Sequence, residues 1–200
     1  MATKRSPGTA DRILDVAERL VQVRGFNAFS YADVSKAVGI QKASLHHHFA
    51  TKTDLGVALV ERYRHAFLAA LAAIEHDAGG ALERLERYAD LYRTVLRKRR
   101  MCMCGMLAAD VATLPEPMRS SVAAFFAENV AWLSRVLSEG KKRGELRFAG
   151  PPAAMAGFVV SSLEGAMLVA RGSGDPGHLD EAARLILSSL RGVGARTRRA

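Results

Sequence analysis

Tyr31 to Phe49 reads YADVSKAVGIQKASLHHHF, and this stretch decides the fold. Ser30 followed by Asp33 is a capping-box pattern, in which the hydroxyl accepts from a first-turn amide and the acidic side chain reaches back. It starts a short helix through about Val38. Gly39 breaks that helix, because glycine adopts the positive φ of a tight turn at no steric cost. A second short helix runs from about Lys42 to His48. Helix, tight turn and helix at this spacing make a helix-turn-helix, which presents its second helix to the major groove of DNA. Val34, Ala37, Val38, Ile40, Leu45 and Phe49 are expected to face the core, leaving Gln41, Lys42, Ser44, His46 and His47 outside. Those are groove and phosphate contact types: Gln pairs with an adenine edge, Lys with guanine or phosphate, Ser or His with either. The competing reading is a solvated helical hairpin serving a protein-interaction module that does not bind DNA.

Outward from this motif, apolar residues recur at helical spacing nearly everywhere and no stretch alternates as a half-buried strand would. The expected class is therefore all-α. Ile13, Val16, Ala17, Leu20 and Val21 form one stripe, and Gly25 ends that first helix. Thr51 with Asp54 caps a long helix to about His76. Further helices are expected over Leu82–Lys98, in a short piece after Gly105, from Glu116 to about Gly140, over Pro152–Arg171, and over His178–Leu190. Gly172 to Gly177 reads as a loop. This divides the chain into a set of three helices at 1–50 that carries the helix-turn-helix, a larger bundle of longer helices at 51–191, and a basic tail at 192–200. The helix over 51–76 connects the two domains.

Composition is that of an ordinary globular protein. The chain has 200 residues, 49% hydrophobic and 24% charged, which disfavours disorder and fibrous repeats. Its net charge of +9 favours a polyanionic partner. The first 62 residues hold nine Lys or Arg against six Asp or Glu, so the excess is spread along the chain rather than gathered on the motif. Two cysteines are too few for a secreted disulfide scaffold, and Met1 to Thr9 lacks a signal peptide's apolar core, so a cytoplasmic location is expected. Ala153 to Ala170 is apolar but interrupted by Ser161, Ser162, Glu164 and Gly165, and reads as a buried helix rather than a membrane span.

Residues 10–62 resemble the DNA-binding domain of the TetR/AcrR family of transcriptional regulators. The likeness runs through ILDVAERLVQVRGF, SYADVSKAVGI, KASLHHHF and TKTDLGVALVERY. It implies a homodimer on double-stranded operator DNA with an inverted repeat, usually a repressor released by a small-molecule inducer, and a DNA-binding domain at 1–50 followed by a ligand-binding and dimerisation domain at 51–191. By that resemblance Ser30 and Tyr31 begin the second helix near the DNA backbone, and Gln41, Lys42, Ala43 and Ser44 open the recognition helix. His46 and His47 stand where ring side chains meet phosphates and bases, and Lys52 stands at a phosphate contact. Gln41 departs from a frequent Ser and His46 from a frequent Tyr. Lys4 and Arg5 are further phosphate-contact candidates.

Other features carry smaller expectations. Consecutive helical residues point about 100° apart, so His46, His47 and His48 cannot converge on one metal ion. No metal site, cofactor motif or catalytic set is legible, and an enzyme is disfavoured. Cys102 and Cys104 diverge by about 200° on a helix, so they are either packed hydrophobes or, for Cys102 after the basic run Arg97 to Arg100, a reactive thiol. MCMCGMLAADVATLP also resembles the segment of a subset of the family in which a cysteine at the position of Cys102 senses electrophiles or oxidants. Phe126, Asn129, Trp132 and Phe158 are the best candidates for lining a ligand pocket. The last two helices, with Ala, Gly and Ser among their apolar residues, are expected to pair with a second copy across a two-fold axis.

Overall fold

The computed structural model describes residues 8–191. They form nine α-helices, one 3-10 turn and a single isolated bridge between Leu146 and Arg191. The helices are α1 (Thr9–Arg24), α2 (Tyr31–Val38), α3 (Lys42–His48), α4 (Lys52–Asp77), α5 (Ala81–Arg97), α6 (Met103–Ala109), α7 (Glu116–Lys142), α8 (Pro152–Ser173) and α9 (Gly177–Leu190). The all-α class expected from the periodicity is what is found. Lys4, Arg5 and the tail at 192–200 lie outside the described residues.

By contact the chain forms two compact units. One takes the chain up to His65 together with Cys102–Ala123, so that α6 packs on α1. The other takes Ala66–Met101 and the chain from Ala124 onward, where α8 packs on α9 and both pack on α5.

The first unit is built around Ile13, Ala17 and Val21 of α1, Val34 and Val38 of α2 and Leu45 of α3, all buried, with α1 packed on α2 and α2 on α3. Local chemistry sets the turns. Ser30 Oγ accepts from the Asp33 amide while the Asp33 carboxylate accepts from Ser30 N, a complete capping box. Thr51 and Asp54 make the same reciprocal pair at the start of α4. Gly39 sits at φ 76° and ψ 39°, the left-handed conformation in which a side chain would crowd the backbone. Arg12 of α1 donates to the Val38 carbonyl at 2.6 Å, and Arg62 of α4 pairs with Asp15 and Glu18 of α1. Helices α1 and α4 are thereby tied to the motif, α1 directly and α4 through α1.

The structure corrects several expectations. Ala37 is exposed, because the buried face of α2 is centred on Val34, Ser35 and Val38 and Ala37 lies off it. Gly140 does not end its helix; α7 continues to Lys142, and Gly140 is buried where Ala81 and Leu146 approach too closely for a side chain. Helix α6 begins before Gly105, and the loop before α9 is shorter than Gly172–Gly177 because α8 runs on to Ser173. Helix α8 is not buried all round. Val159, Val160, Leu163 and Met167 face inward, whereas Phe158, Leu168 and Val169 are each 53% exposed. Its length and apolarity would suffice to cross a membrane, although the inward face is one side of a packed helical unit.

Candidate nucleic-acid interface

The nine residues marked by the sequence for DNA contact fall into two groups. Gln41, Lys42, Ala43 and His47 are exposed on or beside α3, with Ser44 half-buried between them. Gln41 is the N-cap of α3 by backbone position, but its exposed side chain makes no cap hydrogen bond. Leu45 is fully buried and roots the helix. A seven-residue helix has little stability alone, so its geometry is imposed by this anchor and by packing against α2.

The second group holds the first in place. The Tyr31 hydroxyl donates to the Phe49 carbonyl at 2.9 Å, tying the start of α2 to the end of α3. Burial, and then the charge of Asp54, push the Tyr31 phenol up to about 12. Its ring lies 4.8 Å from that of His46, whose Nδ1 is 3.0 Å from the Ala50 carbonyl. A carbonyl there requires the proton on Nδ1, so Nε2 faces outward as an acceptor in the neutral ring. Lys52 Nζ donates to the carbonyls of Phe26 and Phe29 at 2.7 and 2.6 Å and lies over both phenyl rings. Burial lowers its pKa, opposed by the charge of Asp33. Two of the three ammonium hydrogens are thus engaged and one is left. Ser30, Tyr31, Lys42, His46 and Lys52 line one shallow depression of about 460 Å³.

The ligand candidates of the second unit separate differently. Asn129 is buried, accepting from the Tyr88 hydroxyl at 3.0 Å and donating to the Phe125 carbonyl at 2.8 Å. Trp132 stacks on Tyr88 with ring centroids 5.7 Å apart, and its buried Nε1 hydrogen has no acceptor among the described residues. Phe126 is half-buried, edge-on to Phe125. Phe158 does not join them: it stands on the outer face of α8. Tyr88 and Tyr92, hydroxyls 3.1 Å apart, were missed by the sequence reading, although their four-residue spacing on a helix places them on one face.

Cys102 belongs to the first unit. It is buried at the N-cap of α6, and the Tyr63 hydroxyl lies 3.7 Å from its sulfur. Burial pushes the Tyr63 phenol well above its ordinary value, with the two cysteines adding to the rise. Cys104 is fully buried beside it in sequence. Among the described residues no group of three or more His, Cys, Asp and Glu side chains is placed to hold a metal ion.

A short helix with open polar side chains, rooted by one buried leucine and carried on a helix-turn-helix ahead of an all-helical unit, defines a DNA-binding regulator of transcription. Residues 13–59 match the family described as bacterial regulatory proteins, tetR family, and residues 81–186 match the tetracyclin repressor-like C-terminal domain. The chain belongs to the TetR family of transcriptional regulators. It is similar to the HTH-type transcriptional repressor NemR of Escherichia coli, 28% identical over 170 residues that cover 82% of this chain and 84% of that one. Among solved structures, a TetR-family regulator from Agrobacterium tumefaciens has a TM-score of 0.89 at 36% identity, covering 92% and 98% of the two chains. The reduced form of E. coli NemR has a TM-score of 0.82 at 26% identity, covering 94% and 100%. The family and these relatives are regulators rather than enzymes.

Proposed function

We propose that the chain is a homodimeric repressor that binds an inverted-repeat operator in the cytoplasm and is released by a small apolar or electrophilic molecule. The observation that carries this reading is α3 with its N-cap: Gln41, Lys42, Ala43 and His47 are exposed, with Ser44 half-buried between them, while Leu45 is buried and Tyr31 ties α2 to the end of α3. Gln41 and Ser44 read base edges, and His46 and His47 meet bases and phosphates. Ser30, Tyr31 and Lys42 border the DNA backbone, with the remaining hydrogen of Lys52 donated to a phosphate. The dimer forms through α8 and α9, whose Phe158, Leu168, Val169 and Leu185 are apolar and exposed. A two-fold dimer sets the two α3 helices on successive half-sites, hence the inverted repeat.

Two features support the inducer. The Trp132 indole hydrogen, buried without an acceptor beside Asn129 and Tyr88, suits a small molecule bearing one acceptor and an apolar body. The Cys102 sulfur beside the Tyr63 hydroxyl suits an activated alkene. Its thiolate bonds to the β-carbon and the displaced π pair takes up a proton. Either event changes DNA affinity only by favouring a conformation that does not fit the operator, which helix α4, with residues in both units, is placed to pass on.

Selection of bound sequences from random duplex DNA, repeated after a mild thiol-reactive electrophile, tests the reading. An enriched inverted repeat that is lost on treatment, but kept by Cys102→Ser, supports all of it. A repeat indifferent to the reagent removes the thiol signal and leaves a noncovalent inducer. No enrichment removes the operator and returns the helical interaction module.

A further inference from the structure

Helix α5 ends in an unusual way. Arg99 has φ 55°, the one positive φ outside glycine among the described residues, and its amide donates to the Leu96 carbonyl at 2.8 Å while that of Arg100 donates to the Val95 carbonyl at 3.3 Å. This is the paired hydrogen bonding of a Schellman end, where glycine is the ordinary occupant of the left-handed position. Arginine there carries conformational strain that glycine would not. The side chain is therefore held at that place against a local preference.

What the strained turn presents is a groove of about 570 Å³ in the second unit, walled by Arg97, Arg99, Arg100 and Arg171 over an apolar floor that includes Met101 and Pro176. Among the described residues no Asp or Glu lines it. Arg93, one turn earlier on α5, is paired with Asp90 and Asp180, whereas Arg97, Arg99 and Arg100 make no ion pair among the described residues. Like charges gathered without a counter-charge repel one another, and guanidinium forks match a carboxylate or phosphate in two parallel hydrogen bonds. The volume is that of a site for a small organic molecule.

We infer that this groove binds a small amphiphilic anion, its carboxylate or phosphate head held by Arg99 and Arg100 with Arg97 and Arg171 beside them, and its apolar body laid on Met101 and Pro176. The groove shares no lining residue with the Trp132 cluster, and its occupancy does not depend on the operator reading.

Isothermal titration calorimetry of the full chain with decanoate, decyl phosphate, decanol and inorganic phosphate tests it. Decanoate or decyl phosphate should bind and decanol should not, since the head carries the recognition; inorganic phosphate should bind more weakly for want of the apolar floor. Whichever of decanoate and decyl phosphate binds more tightly names the head group. Arg99→Gly is the discriminating variant: it relieves the left-handed strain and so keeps or raises the melting temperature, yet should weaken the anion at least tenfold. Arg100→Ala should weaken it similarly. Unchanged anion affinity in both variants, equal binding of decanol, or loss of duplex DNA affinity in Arg99→Gly with the anion unaffected would each overturn the inference.

Discussion

Lys52 Nζ donates to the backbone carbonyl of Phe29 at 2.6 Å, across 23 residues of chain, and to that of Phe26 at 2.7 Å. The residue that the family resemblance sets against DNA phosphate is, in the free protein, the clamp on the turn before α2. Lys52→Met should leave two carbonyls without a donor and destabilise the fold by about 1.5–3 kcal/mol, toward the lower end because the ammonium is partly solvated. Urea denaturation reads the loss. Lys52→Ala should also weaken binding to all DNA sequences by a similar factor, since a turn and a phosphate contact carry no base information.

Tyr31 gives a pH signature. Its phenol ionises near 10 when unfolded and near 12 in the fold, so the native state keeps a proton that the unfolded state has released. The contribution is fully present below pH 10 and is lost as pH rises through about 12. Tyr31→Phe should cost about 1 kcal/mol at neutral pH through the lost bond to the Phe49 carbonyl. Denaturation series should show the gap between wild type and variant narrowing over that alkaline window.

Gly140 is a packing residue. A β-carbon there would meet Ala81 Cβ at 2.5 Å and Leu146 Cδ1 at 2.6 Å. Gly140→Ala gains about 1 kcal/mol of helix propensity, yet overpacking of this kind costs about 1–3 kcal/mol. With a rigid alanine as one neighbour, the cost should exceed the gain and the melting temperature should fall.

The outer face of α8 should be covered by a second copy. Phe158→Glu with Leu168→Glu puts charge where two such faces would meet, without touching the inward residues Val159, Leu163 and Met167. Sedimentation should show a dimer for the wild type and a monomer for the double variant, with helical content retained. A monomeric wild type would remove the proposed interface.

The helix ends were the most legible part of the chain, because their chemistry is local. The pairs Ser30 with Asp33 and Thr51 with Asp54 cap as read, and Gly25 and Gly39 terminate as read. What periodicity cannot supply is which apolar face meets the interior. Phe158 and Val159 are neighbours with one hydrophobic character, yet one is exposed and the other buried. Ala37 was misplaced for the same reason, small enough to fit either side. Long-range partners were invisible as well. Lys52 clamping Phe26 and Phe29, Tyr88 meeting Asn129, and α6 lying on α1 join positions that no spacing rule connects.

We propose that α3 reads bases through Gln41 while Lys52 and Tyr31 hold and position it. The most direct test is binding-site selection from random duplex DNA with wild type, Gln41→Ala and Lys52→Ala side by side. We expect Gln41→Ala to change the preferred base at one position in each half-site, and Lys52→Ala to keep the wild-type sequence at reduced affinity. An identical preferred sequence from all three, with equal losses of affinity, would contradict the account and move base recognition away from Gln41.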